Sequence, residues 1–198
     1  MEKLILYIQS SDTHPTLEGP NGVGKTSLVS VAGYKLYKMF EDGDSESYIP
    51  ISNTFQLTSS DTLKSFKQRV FLEIAQQFIK SHAILKTKGY SVPEINEINS
   101  WLNSPLFHST GFGASIAGYG GTATRSTTPS NSTGFNESGF ISFVNNCLIN
   151  CFPSRSSGGF ICVIDNLELL ETSKSARELL ESIRDELLNI KGLRWVLS

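Results

Sequence analysis

The chain has 198 residues, 39% of them hydrophobic and 18% charged, with a formal net charge of −2. That length admits one sizeable α/β domain and excludes two full ones, and the near-neutral balance argues against a broadly basic nucleic-acid-binding surface. No apolar run approaches the roughly 18 residues that span a membrane, and the short run from Leu4 to Ile8 has no small-residue cleavage site, so a cytoplasmic protein is expected.

Residues 2–10 read as the end of a helix, with Leu4, Ile5 and Ile8 on one stripe, broken by Ser10-Ser11-Asp12-Thr13-His14-Pro15. Thr16-Leu17-Glu18 is expected as a short strand. It feeds Gly19-Pro20-Asn21-Gly22-Val23-Gly24-Lys25-Thr26-Ser27, which fits G-x-x-x-x-G-K-(S/T). The spacing suits a nucleoside triphosphate. Adjacent anionic phosphates are best held by a ring of backbone N–H groups, and Gly19, Gly22 and Gly24 permit the backbone angles such a ring needs. Lys25 can place a positive charge on the terminal phosphates, and the Thr26 hydroxyl can ligate Mg²⁺. A helix from Lys25 to about Phe40 then points its positive N-terminal end at the same place, with Leu28, Val31, Ala32, Leu36 and Phe40 as its inward stripe.

Beyond the acidic turn Glu41–Asp44, Tyr48–Leu57 reads as a second strand. Ser59-Ser60-Asp61 is expected to cap a long helix running to about Ser81, with Leu63, Phe66, Val70, Ile74 and Phe78 facing the core. A shorter helix follows Pro93. Residues 103–139 are rich in Gly, Ser and Thr without helical periodicity, and read either as an inserted linker or as a partner-contacting loop. From Gly139 a helix resumes through Phe140, Val144, Cys147 and Cys151, and Ser156-Ser157-Gly158-Gly159 reads as a turn. Phe160–Ile164 is an apolar run of strand length. A helix over 173–190 follows, with Ala176, Leu179, Leu180, Ile183 and Leu187 inward, and then a strand from Leu193. Strand–helix alternation predicts a parallel sheet with right-handed crossovers. Cys147, Cys151 and Cys162 have no disulfide or metal spacing and read as small buried residues, while His14, His82 and His108 form no ligand pattern.

In a parallel sheet all strand carboxyl ends share one edge, so Asp165, at the end of the apolar run, is expected beside Thr26 as the second Mg²⁺ ligand. Glu168 is a candidate to orient the attacking water, or else a solvated loop carboxylate; Glu171 is a weaker candidate.

The loop, together with Val163-Ile164-Asp165-Asn166-Leu167-Glu168 and Gly192-Leu193-Arg194-Trp195-Val196-Leu197, resembles the AAA+ and STAND groups of P-loop ATPases, most of all the origin-recognition-like ATPase domains of bacterial proteins. The resemblance implies a three-layer α/β/α P-loop core over 1–198, a Walker A loop, a Walker B Asp165, ATP with Mg²⁺, and protein partners or self-association. DNA contact is implied by the resemblance alone, as is adenine over guanine. The leading expectation is ATP–Mg²⁺ binding with hydrolysis that drives a conformational switch in a larger assembly. Such ATPases usually place Glu directly after the Walker B Asp, and Asn166 at that position here favours the alternative, a STAND-type switch that turns over slowly. A last strand, arginine finger and helical lid have no counterpart, and the resemblance implies a polar sensor at the end of the fourth strand, either Ser198 or a neighbour absent from this sequence. A small-molecule kinase would need an arginine-bearing lid and an acceptor pocket; the 103–139 stretch offers only Arg125.

Overall fold

The computed structural model describes residues 1–10, 14–20, 22–58, 60–103, 137–165, 167 and 174–198. Most of the 103–139 stretch therefore lies outside the described residues. Its last three positions do not belong to a loop: Glu137 already opens a helix.

Six α-helices and a parallel sheet of four strands make up the described chain. The helices are α1 (Glu2–Gln9), α2 (Lys25–Asp42), α3 (Leu63–Thr87), α4 (Ile95–Leu102), α5 (Glu137–Cys151) and α6 (Lys174–Ile183). The strands are β1 (Ser47–Pro50), β2 (Phe55–Gln56), β3 (Gly158–Asp165) and β4 (Leu193–Leu197). β3 lies at the centre, with β4 on one side and both β1 and β2 on the other. The expected first strand shrinks to a single parallel bridge, Thr16 to Leu197, held by Leu17 N–H donating to Leu197 O at 2.8 Å and Leu197 N–H to Pro15 O at 2.9 Å. The chain thus starts at one edge of the sheet, crosses to the other, and returns through β3 and β4 to meet its own beginning.

Side chains alternate across the sheet. Phe160, Cys162 and Ile164 face a core shared with α3, α4 and α5, while Ile161 and Val163 face a smaller core under α1 and α2. Helices therefore cover both faces, which explains why all eight residues of β3 are buried and apolar or small except its last. Each fully buried Phe or Ile contributes about 1.5–3 kcal/mol of transfer free energy.

Helix ends follow their local chemistry. Gly43 closes α2 in the left-handed region (φ 90°), and Asp44 N–H reaches Met39 O at 2.8 Å in a Schellman arrangement. α3 is capped by Thr62, whose hydroxyl accepts from Ser65 N–H at 3.1 Å while Ser65 Oγ accepts from Thr62 N–H at 3.0 Å. Asp61, the expected cap, accepts from Thr58 N–H and pairs with Arg69 instead. α3 also runs two turns further than expected. Leu85 extends its apolar stripe, and the buried Gln77 and Ser81 satisfy each other at 2.7 Å.

Other expectations also fail. The inward stripe of α2 is Val29, Ala32, Gly33, Leu36 and Phe40; Leu28 and Val31 are 36% and 47% exposed. The single strand Tyr48–Leu57 is broken, because between its pairings with Ile161 and Ile164 the edge strand spends five steps against three on β3. The last helix gives way at Arg184 to a wide π turn over Arg184–Leu188. The turn keeps Ile183 and Leu187 buried, leaves Leu180 exposed, and presents Leu187 O to the Trp195 indole N–H at 3.1 Å.

Gly158 and Gly159 lie inside β3, not in a turn. Gly158 has φ 89°, and a Cβ there would stand 2.0 Å from Ser47 O. Gly158→Ala is therefore expected to destabilise the chain by about 3 kcal/mol through overpacking and backbone strain. Urea unfolding measures this; an unchanged midpoint would mean that β1 does not pack so closely against β3.

Candidate functional site

The carboxyl ends of the strands converge on one edge, where Gln56 pairs with Asp165, and Leu197 with both Ile164 and Thr16. Three residues past that bridge, at Gly19, the chain enters the glycine-rich loop. Gly22 and Gly24 hold positive φ, 80° and 92°, and nothing lies within 4 Å of where a Cβ on either would sit. Gly24 is the N-cap of α2 with no side chain to offer, so the first-turn N–H groups are directed toward the loop. The loop is turned by Val23 N–H on Pro20 O at 3.4 Å, and Gly19 is backed by the Val23 side chain. Asn21 lies outside the described residues.

Lys25 folds back over the loop, its Nζ donating to Gly19 O at 2.9 Å. An anion of higher charge than a carbonyl dipole can displace that bond without moving the helix. Ser27 is exposed on the first turn of α2. Thr26 Oγ1 donates to Asp165 Oδ2 at 2.7 Å across 139 positions of sequence. Asp165 is only 7% exposed. A hydroxyl and a carboxylate converging in this way are the hard oxygen donors a divalent cation such as Mg²⁺ accepts. The juxtaposition expected from the parallel sheet is present. Glu168, Glu171 and Asn166 lie outside the described residues.

Ser198 closes β4 at the same edge, its N–H donating to Ile164 O at 2.8 Å and its carbonyl accepting from Leu167 N–H at 3.2 Å. It is 5% exposed, and its hydroxyl has no hydrogen-bond partner among the described residues.

Two cavities flank the loop, and neither was expected from sequence. On the side of α1, a cavity of about 390 Å³ is lined by Leu4, Tyr7, Pro15, Leu17 and Leu28. Leu28, expected on the core stripe of α2, lines this cavity instead. α1 is fixed there by its last carbonyls: Gln9 O accepts from Tyr48 OH at 3.3 Å and Ser10 O from Arg194 Nη1 at 3.4 Å. On the other side of the loop lies a cleft of about 320 Å³ against Thr26 and the break between β1 and β2.

The three cysteines are buried thiols outside any disulfide. Burial pushes Cys147 up to about 11 and Cys151 up to about 12, so both stay protonated at neutral pH. No group of three His, Cys, Asp or Glu suited to a metal exists among the described residues.

Thr26→Val keeps the side chain's shape and removes the donor to a nearly buried carboxylate. The expected loss is about 1–3 kcal/mol at neutral pH, read from denaturant unfolding; no loss would mean the Thr26–Asp165 bond is dispensable. No protein-family model, no curated protein and no solved structure matches this chain.

Proposed function

We propose that the chain binds ATP with Mg²⁺ and hydrolyses it to ADP and phosphate, using the energy to switch the conformation of a larger protein or assembly. The observation that carries the reading is the 2.7 Å contact between Thr26 and Asp165, two oxygen donors brought together from opposite ends of the sequence beside a glycine-rich loop. In this reading the backbone N–H groups of residues 19–27 other than Pro20, which has none, hold the phosphates with the Lys25 ammonium, and Thr26 and Asp165 would hold Mg²⁺, which would draw charge from the terminal phosphate. The apolar cavity beside Tyr7 and Leu28 takes the base. Glu168 orients the attacking water. The chain is then a cytoplasmic P-loop ATPase core of the AAA+ or STAND type, acting with protein partners or with copies of itself; DNA is a partner by resemblance only.

The edge geometry supports the nucleotide more directly than its turnover. Asn166 stands where ATPases of this type carry a catalytic Glu. That substitution favours a second reading, a STAND-type switch that holds its nucleotide and turns over little or not at all.

Calorimetric titration with ATP–Mg²⁺, followed by phosphate release on the same sample, separates these readings. Binding with steady release supports an ATPase; binding without release supports the switch. Lys25→Ala is expected to weaken ATP–Mg²⁺ by about 100-fold, on the order of 3 kcal/mol, with an unchanged circular dichroism spectrum. Equal affinity in that variant would overturn the phosphate-loop assignment. Asp165→Asn is expected to abolish the advantage of Mg²⁺ over EDTA in the same titration, while binding in EDTA persists.

A further inference from the structure

The cleft beside Thr26 exists because the edge strand is broken. The two extra residues between β1 and β2 push Ser52–Thr54 out of register, and the side chains of Ile161 and Val163 on β3 are left as a floor. The bulge is held in that position. Lys80 Nζ on α3 donates to Ser52 Oγ at 3.1 Å, and Asn53 Nδ2 donates to Glu73 Oε1 at 3.0 Å. Bulges concentrate next to functional sites, where they end pairing to open space.

The lining has a definite chemistry. Its floor is aliphatic, from Val29 with Ile161 and Val163. Its rim carries neutral hydroxyls, those of Ser30, Tyr34, Ser52 and Thr54. Among the described residues no Asp, Glu, His, Lys or Arg lines it, the Lys80 ammonium lying behind Ser52 and engaged by its hydroxyl. An ionic ligand would lose its hydration there without gaining a partner. An anion would also lie next to the terminal phosphate in the nucleotide reading. A cleft without a carboxylate or imidazole has no base to draw a proton from an acceptor hydroxyl, which argues against phosphoryl transfer into it.

We propose that this cleft is a second ligand site, for a small uncharged molecule with an apolar ring and hydroxyl groups, and that its occupant acts as an effector of the nucleotide site. The ring lies on the aliphatic floor and the hydroxyls meet the rim. The effector role rests on the ATP reading, because Thr26 is a wall of the cleft and, in that reading, a ligand of Mg²⁺; the occupant's chemistry does not. Coupling between the two sites is reciprocal: the ligand shifts nucleotide affinity by the factor by which nucleotide shifts ligand affinity.

The test titrates the full chain, without nucleotide, with phenyl β-D-glucopyranoside, and in parallel with phenyl β-D-glucuronide, which has the same rings and a carboxylate in place of the hydroxymethyl group. Ligand-observed NMR gives the affinity. The glucoside is expected to saturate with a Kd of about 1 mM or below, and the glucuronide to bind about tenfold or more weakly. Thr54→Trp, which fills the cleft, and Tyr34→Ala, which strips its rim, sit on different elements. Each is expected to weaken the glucoside about fivefold or more, with Kd for ATP–Mg²⁺ in the absence of glucoside unchanged. No saturable binding of the glucoside, equal binding of the glucuronide, or indifference to both variants overturns the site. Saturable glucoside binding in a chain that binds no ATP–Mg²⁺ would leave the cleft standing and remove the nucleotide reading; unshifted ATP–Mg²⁺ affinity at saturating glucoside would overturn the effector role.

Discussion

Everything in this fold hangs from a strand that is hydrogen-bonded along both edges and covered on both faces. β3 has no exposed residue, so every backbone group and side chain along it must be matched by a neighbour. That requirement fixes the two glycines at its start, where β1 and the Gly192 turn press on its backbone. It also fixes what its end can do. The strand emerges from the core at Asp165, whose carboxylate is held beside Thr26. Because the same strand sets the positions of β1, β2 and β4, the loop that enters α2 and the carboxylate that faces it are parts of one rigid edge.

The periodic elements were legible because burial imposes the period. The stripe Phe66, Val70, Ile74, Phe78 on α3 and the apolar run of β3 read correctly because each packs against a continuous surface. The Thr26–Asp165 contact was legible too, through a topological rule: parallel strands share an edge, so a loop after one strand and a carboxylate after another must be neighbours. What was not legible depends on register between strands. The sequence Ile51-Ser52-Asn53-Thr54-Phe55 carries no sign that two residues will be expelled, because the expulsion is set by spacing on β3 and by Lys80 and Glu73 on α3. Gly158-Gly159 has the composition of a turn, yet its glycines serve close approach between backbones. The π turn is fixed by packing: Leu187 must stay in the core while its carbonyl meets Trp195.

On α2, the residues off the sheet-facing stripe include walls of both cavities. Leu28 turns toward α1 and Tyr34 toward the broken strand, while Val29 and Gly33 make the contact with the sheet. Gly33 matters in particular, since a Cβ there would stand 3.1 Å from the Pro50 side chain. Pro50 is admissible because β1 is an edge strand and lacks a neighbour that would need its N–H. A glycine facing a proline lets α2 lie close to the edge of the sheet at its middle, and the cleft opens further along, where the strand breaks.

This arrangement bears on how a signal would leave the site. α2 carries Lys25 and Thr26 on its first turn and walls of both cavities along its length. A helix is stiff along its axis, so a displacement at its N-terminus is transmitted to its flanks, whereas loops would absorb it. α1 is packed on α2 and the sheet through Leu4 and Ile8, and is bonded to the sheet at its far end by Tyr48 and Arg194. Both surfaces exposed to a partner near the loop, the Leu28 side and the Tyr34 side, therefore change together when the first turn of α2 moves. A nucleotide held by that turn would be read on two faces at once. That is a sufficient basis for a switch whether or not the bond to the terminal phosphate is broken.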